Sequence, residues 1–247
     1  MPAKNSATAA PHGQRLQLAS TTGPVAGKPF EAWSATPLPG KANGAGIVVV
    51  QEIFGLTDFI KDVCQRLASQ GYKVLAPALY DPIRPGIVLG YDQTGLRQGM
   101  AYRAKLPAGA ALAEIGACVA ALHKEGCAKV GVVGFCWGGR LAWQAAQHLP
   151  VQAVSGWYGV GIDQDLDPLP KAPVQLHYGK EDSFAPPAQR AAVRQGCPEA
   201  EIHLYEAGHG FGCTSRSDYV PAAAKLAWER TDAFFKHHLL GQSQPNS

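Results

Sequence analysis

The chain has 247 residues, 46% of them hydrophobic and 17% charged, with a formal net charge of +3. That length and balance suit one α/β domain burying on the order of 70–75% of its unfolded surface, without disulfide staples. The charge is too small and too scattered for a nucleic-acid partner, and no apolar run approaches the roughly 18 residues of a membrane span.

Residues 1–13 are polar and Ala-rich with no apolar signal core, so they are expected to be a disordered tail on a cytoplasmic protein. The folded domain is expected over 14–241, with 242–247 a flexible tail. Short β-like runs at Gln14–Leu18 and Glu31–Thr36 predict an antiparallel start. Further strands are predicted at Gly46–Gln51, Lys73–Pro77, Lys129–Gly134, Ala153–Trp157, Val174–Tyr178 and Glu201–Tyr205. Ile60, Val63, Cys64 and Leu67 recur at helical spacing, with Asp58 as cap and Gly71 as stop. Leu112, Ile115, Val119 and Leu122 repeat that pattern, and Leu226, Ala227 and Phe234 mark a closing helix after Pro221. Alternating strands and helices imply parallel crossovers, hence a single-domain, three-layer αβα sandwich around a mostly parallel sheet. Asp81–Pro107, rich in Gly and Pro, follows no period and is read as a substrate-facing excursion.

Two segments carry the chemistry. Gly134-Phe135-Cys136-Trp137-Gly138-Gly139 follows an apolar strand and has the form of a nucleophile elbow, with sulfur where such turns usually carry oxygen. Glycines two residues to either side relieve the crowding of a strained turn, and the Trp137 N–H is left at a helix N-terminus where an oxyanion can be received. In the bland alternative Cys136 is a small buried hydrophobe at a tight turn. The second segment, Ala207-Gly208-His209-Gly210-Phe211, places His209 just past a strand, and the intervening strand ends in the acidic pair Glu181-Asp182. Asp182 is chosen over Glu181 as the carboxylate that orients the imidazole. Nucleophile, acid and histidine then follow the chain order of α/β-hydrolases, each in a loop after a strand.

Together with Gln51-Glu52-Ile53-Phe54-Gly55 and Trp157-Tyr158-Gly159-Val160-Gly161, these segments resemble dienelactone hydrolase (carboxymethylenebutenolidase) over roughly Arg15 to Leu240. The resemblance implies an α/β-hydrolase fold, a Cys136–His209–Asp182 triad, and a lactone or ester as the small-molecule substrate, in the type case a dienelactone opened to maleylacetate. It also implies that Glu52 contacts the resting thiol and helps to generate thiolate, which suits a group that is only about 3% ionised at pH 7. Without the resemblance, Glu52 is simply the polar end of a strand. In this architecture the second oxyanion donor comes from the loop after an earlier strand, here the N–H of Ile53. The pocket is expected to be drawn from Phe54, Tyr80, Trp157, Tyr158 and Phe211.

Two departures stand out. The family's carboxylate-binding arginine in the loop after the 73–77 strand aligns only approximately with Arg84, and the family's second arginine, four residues after the histidine, is replaced by Cys213. Either Arg216 reaches back into the site or carboxylate recognition is weakened, because a thiol cannot replace a guanidinium fork. The six cysteines are dispersed, with no Cys-x-x-Cys pair, and the histidines lack ligand spacing, so neither metal nor organic cofactor is expected. A monomer or weak homo-oligomer is expected. The alternative readings are a broad-specificity thiol carboxylesterase, a non-hydrolytic binding protein on the same fold, and a redox sensor pairing Cys136 with Cys213.

Overall fold

The computed structural model describes residues 12–243. Eight strands form one sheet: β1 (His12–Ala19), β2 (Pro29–Thr36), β3 (Ala45–Val50), β4 (Lys73–Pro77), β5 (Lys129–Phe135), β6 (Ala153–Trp157), β7 (Val174–Gly179) and β8 (Glu201–Tyr205). Their order is β1-β2-β4-β3-β5-β6-β7-β8. β1 and β2 pair antiparallel and β2 joins β4 antiparallel, whereas every later pairing is parallel. The antiparallel start and all six later strands therefore stand where periodicity predicts them. Of the expected tails, residues 1–11 and 244–247 lie outside the described residues. His12 and Gly13 belong to β1, because its ladder runs on to Ala35 and Thr36.

The helices are α1 (Asp58–Ser69), α2 (Gln93–Lys105), α3 (Ala110–Lys124), α4 (Trp137–His148), α5 (Pro187–Gly196) and α6 (Pro221–Leu240). The strands carry apolar residues toward both faces, as a sheet covered on both sides requires. Val48 and Val50 face the core shared with α3 and α4, while Ile47 and Val49 face the core shared with α1 and α6. A strand alternates its side chains with period two, so four consecutive apolar residues feed two cores at once.

Two local expectations are corrected. The N-cap of α1 is Thr57 rather than Asp58, and its hydroxyl does not cap; it lies 2.9 Å from the Tyr91 hydroxyl. The aperiodic excursion contains α2, capped by Asp92, whose carboxylate accepts from the Gly95 N–H at 2.7 Å. Gly95 and Gly99 are buried within that helix, which is why no apolar period marks it. α5 carries no sequence signal used above.

Candidate active site

Cys136 ends β5 and caps α4 with φ 56° and ψ −119°, a backbone conformation that costs a non-glycine residue energy and is held only by its surroundings. Three bonds pin it. The Cys136 N–H donates to the Trp157 carbonyl at 2.9 Å, and its own carbonyl accepts from Gly139 at 3.0 Å and from Val160 at 3.4 Å. The flanking glycines are there for space. A Cβ on Gly134 would lie 1.9 Å from the Gly138 carbonyl oxygen, and one on Gly138 would lie 2.4 Å from that of Gln51. β3, β5 and α4 thus meet backbone to backbone at the elbow.

Asp182, His209 and Cys136 lie together at the ends of β7, β8 and β5. Asp182, in the loop after β7, is 2% exposed, and its Oδ1 accepts from the Phe184 and Ala185 N–H groups at 2.9 and 3.1 Å. Its Oδ2 is 2.9 Å from His209 Nδ1. Glu181, the rival acid, is exposed to solvent. His209 follows β8 and is packed edge-on against Tyr158, with ring centroids 5.1 Å apart, and against Phe184 at 4.9 Å. Burial works against a charged imidazole there. The Cys136 sulfur and the Asp182 carboxylate outweigh it, so the His209 pKa is pushed up to about 10.

Glu52 differs from the expectation. It is 1% exposed at the end of β3, but the Cys136 sulfur engages His209. The Glu52 carboxylate instead faces Arg216, whose Nη1 lies 3.7 Å from Oε1, together with the Tyr91 hydroxyl and the Cys213 thiol. Neither of those two completes a hydrogen bond of ordinary geometry with it. Burial pushes the Glu52 pKa up, opposed chiefly by Arg216. Arg216 therefore does reach back from the histidine loop. It lines the cavity, lies 5.8 Å from the Phe54 ring centroid and also pairs with Asp218 at 3.5 Å. Cys213 is fully buried.

A cavity of about 460 Å³ opens over the sulfur, bounded by Ile53, Phe54, Cys136, Trp137, His209 and Arg216 among others. The Ile53 and Trp137 N–H groups, at the loop after β3 and at the first turn of α4, have no hydrogen-bond partner within the protein among the described residues. Two free N–H donors beside one cavity are an arrangement that can receive a developing oxyanion. Tyr80 fixes that loop from behind: its hydroxyl donates to the Ile53 carbonyl at 2.9 Å and its ring stacks on Trp137 at 5.9 Å.

Four expected substrate contacts are buried behind the cavity. Tyr80, Trp157, Tyr158 and Phe211 are each at most 1% exposed and form the packed bed beneath the site. Arg84 is exposed, sits 5.7 Å from the Tyr102 ring centroid and does not line the cavity. The lining residues not singled out in the sequence are Tyr91, Asp92, Gln93, Leu96, Met100 and Arg103 from the 81–107 excursion, with Val160 and Phe184. For those in the excursion the signal was the aperiodic stretch itself, and for Val160 the Trp157–Gly161 segment.

Comparison with known proteins places the chain in a family. Residues 30–239 match the model of the dienelactone hydrolase family. Carboxymethylenebutenolidases from Pseudomonas putida and Pseudomonas knackmussii are each 37% identical over 202 residues, covering 78% of this chain and 85% of theirs. A solved structure from Klebsiella pneumoniae superposes with a TM-score of 0.77 at 29% identity, covering 91% of this chain and 98% of that one. A dienelactone hydrolase-like promiscuous phosphotriesterase from metagenomic libraries shares the fold, with a TM-score of 0.72 at 19% identity and coverage of 93% and 99%. With elbow, acid, histidine and Glu52 all inside the matched region, the chain belongs to the dienelactone hydrolase family, and it is a hydrolase acting on carboxylic esters.

Proposed function

We propose that the protein opens a lactone or cleaves an ester by attack of Cys136 Sγ on the carbonyl carbon, through a thioester. The observation that carries this reading is the continuous line from Asp182 through His209 to a sulfur held in a strained turn below two unpartnered N–H groups. A histidine raised to about 10 between a carboxylate and a sulfur favours the imidazolium, which is the partner a thiolate needs. Attack forms the carbon–sulfur bond and moves the carbonyl electrons onto oxygen, where the Ile53 and Trp137 N–H groups stabilise them. Collapse expels the alkoxide, which takes the proton from His209. Neutral His209 then accepts a proton from water as it attacks the thioester, and the acid and the Cys136 thiolate are released.

The test is a mass measurement during turnover of a slowly hydrolysed aryl ester. An acyl adduct on the peptide containing Cys136, absent in Cys136→Ala together with activity, is the expected result. Hydrolysis by Cys136→Ala at the parent rate refutes the reading.

The apolar lining of the cavity favours a second reading, a broader thiol carboxylesterase, over strict dienelactone specificity. Rates on cis- and trans-dienelactones against simple aryl esters separate the two. A redox pairing of Cys136 with Cys213 has less support: burial, and then the charge of Glu52, push the Cys213 thiol up to about 12, the opposite of an easily oxidised sulfur.

A further inference from the structure

Beside the catalytic cavity lies a second one, of about 330 Å³, between the start of α3 and one side of α4. Trp137, Leu141, Gln144 and His148 make its α4 wall, spaced four, three and four residues apart and hence on one helix face. At the rise of an α-helix that wall runs for about 16 Å. The second cavity shares Trp137 and Arg103 with the first. The two therefore meet at the residue after the nucleophile, where the Arg103 guanidinium lies 5.9 Å from the indole centroid.

The polar side chains of this groove are Arg103 at the junction and Gln144 and His148 toward the C-terminal end of α4, with Leu141 between them on the helix face. The Gln144 amide is already committed, donating to the Asp165 carboxylate at 2.8 Å. Leu106 and Leu112 also line the groove and keep part of their surface open, although helical spacing on α3 reads Leu112 as core. Half-open leucines continuous with a catalytic cavity describe a missing apolar occupant, and the reaction says which part of an ester it is. The departing alcohol has to take its proton from His209, which lines the catalytic cavity but not the groove. The carbonyl oxygen turns to the Ile53 and Trp137 N–H groups. What remains to pass over the Trp137 ring is the acyl substituent.

We propose that the groove between α3 and α4 is an acyl-chain subsite, and that the enzyme accepts esters whose acid part is a long, unbranched, uncharged chain. The chain leaves the carbonyl over Trp137 and lies along α4 against Leu112 and Leu141. Methylene groups ask for no hydrogen bonds, so the committed Gln144 amide is no obstacle to them. Burial favours binding by up to about fourfold for each methylene fully removed from water, and by less where the groove stays open. Because the acyl part remains on Cys136 after the alcohol departs, the subsite holds the same chain through both halves of the reaction.

This inference rests on the ester-hydrolysis reading, and the experiment keeps the two apart. kcat/KM is measured on para-nitrophenyl acetate, butyrate, hexanoate and octanoate, each below the concentration at which it aggregates, with the parent enzyme and with Leu112→Trp, which fills the groove. Leu112→Ser, which makes its wall polar, replaces the tryptophan variant if that one does not fold. From butyrate to octanoate the parent should gain about tenfold or more. The variant should lose most of that gain while keeping the parent rate on acetate within about twofold, since Leu112 lines the groove and not the catalytic cavity. Acetates of straight-chain alcohols of increasing length are the control for direction, and their rates should not climb with length. A parent that gains nothing beyond butyrate, a variant that lowers all four esters alike, or a length dependence on the alcohol side overturns the subsite, while hydrolysis of the acetate still upholds the enzyme reading. Failure of the parent on every ester would instead strike the enzyme reading itself.

Discussion

Gly99→Ala tests whether α2 sets the position of the oxyanion loop. A Cβ built on Gly99 would lie 2.4 Å from the Ile53 carbonyl oxygen, 3.1 Å from Ile53 Cγ1 and 3.2 Å from the Ile53 carbonyl carbon. The oxygen contact has to open by about 0.6 Å to reach the shortest separation that side-chain carbons show, and the Tyr80 hydroxyl ties Ile53 and Gly99 together from the other side. The displacement therefore falls on the Ile53–Phe54 peptide, one Cα away from the Ile53 N–H. Misplacements of about 1 Å cost on the order of 100-fold in rate, and loss of one oxyanion donor costs about 3–4 kcal/mol. The expected result is a fall in kcat of about 30- to 300-fold with KM changed much less. Stability should fall by no more than about 2 kcal/mol, because alanine gains about 1 kcal/mol over glycine within a helix while overpacking costs about 1–3 kcal/mol. Steady-state kinetics on a neutral aryl ester, with thermal unfolding as the fold control, decide the matter. A folded Gly99→Ala enzyme at the parent kcat would refute both the wedge and the role of Ile53.

Three other substitutions probe separate parts of the site and core. Asp182→Asn leaves an oxygen for the Phe184 and Ala185 N–H groups but removes the charge that holds His209 Nδ1–H, and kcat should drop about 10³- to 10⁴-fold in a folded protein. Glu52→Gln removes the charge paired with Arg216, and turnover should fall more than substrate affinity; kcat and KM measured together would show it, and an unchanged kcat would take Glu52 out of the reaction. Glu114, on α3, is 1% exposed with neither carboxylate oxygen hydrogen-bonded among the described residues, and burial, then the charge of Asp81, push its pKa up to about 8. A carboxyl whose folded pKa lies above its unfolded value contributes stability below about pH 4.5 that is lost as pH rises through 8, with a ceiling of about 5 kcal/mol. Glu114→Gln should flatten the fall in Tm between pH 5 and pH 8.5, and two variants with parallel pH profiles would show that Glu114 does not ionise in that range.

Sequence reached furthest where a constraint is local. The elbow is legible because Gly134 and Gly138 are required by backbone atoms within a few residues or on the adjoining strand, and the triad because each member directly follows a strand. Sequence misled where side chains beside a motif were assumed to face substrate. Trp157 and Phe211 flank the catalytic loops yet stack on each other at 5.7 Å, beneath the site, since the last residue of a buried strand has packed neighbours on both faces. Arg216 was reachable only as an alternative, because distance along a loop does not say which way the loop folds back.

The excursion is the instructive failure, because its glycines read as loop and are helix. Gly95 and Gly99 are spaced four apart on α2 and meet backbone: a Cβ on Gly95 would lie 1.8 Å from the Gly90 carbonyl oxygen, and one on Gly99 would strike Ile53. Helix propensity is sacrificed there for close approach, at about 1 kcal/mol per glycine, and tertiary packing restores it. Leu96, Met100 and Arg103 of the same helix line the cavity. One helix thus abuts the Ile53 peptide with Gly99 and lines the cavity with its long side chains. Changes at 96, 100 and 103 should alter the cavity while leaving the Ile53 loop in place, whereas any side chain at 99 should displace that loop. The two effects should be separable on α2 because Gly99 meets the Ile53 peptide with its backbone, whereas Leu96, Met100 and Arg103 reach the cavity through their side chains.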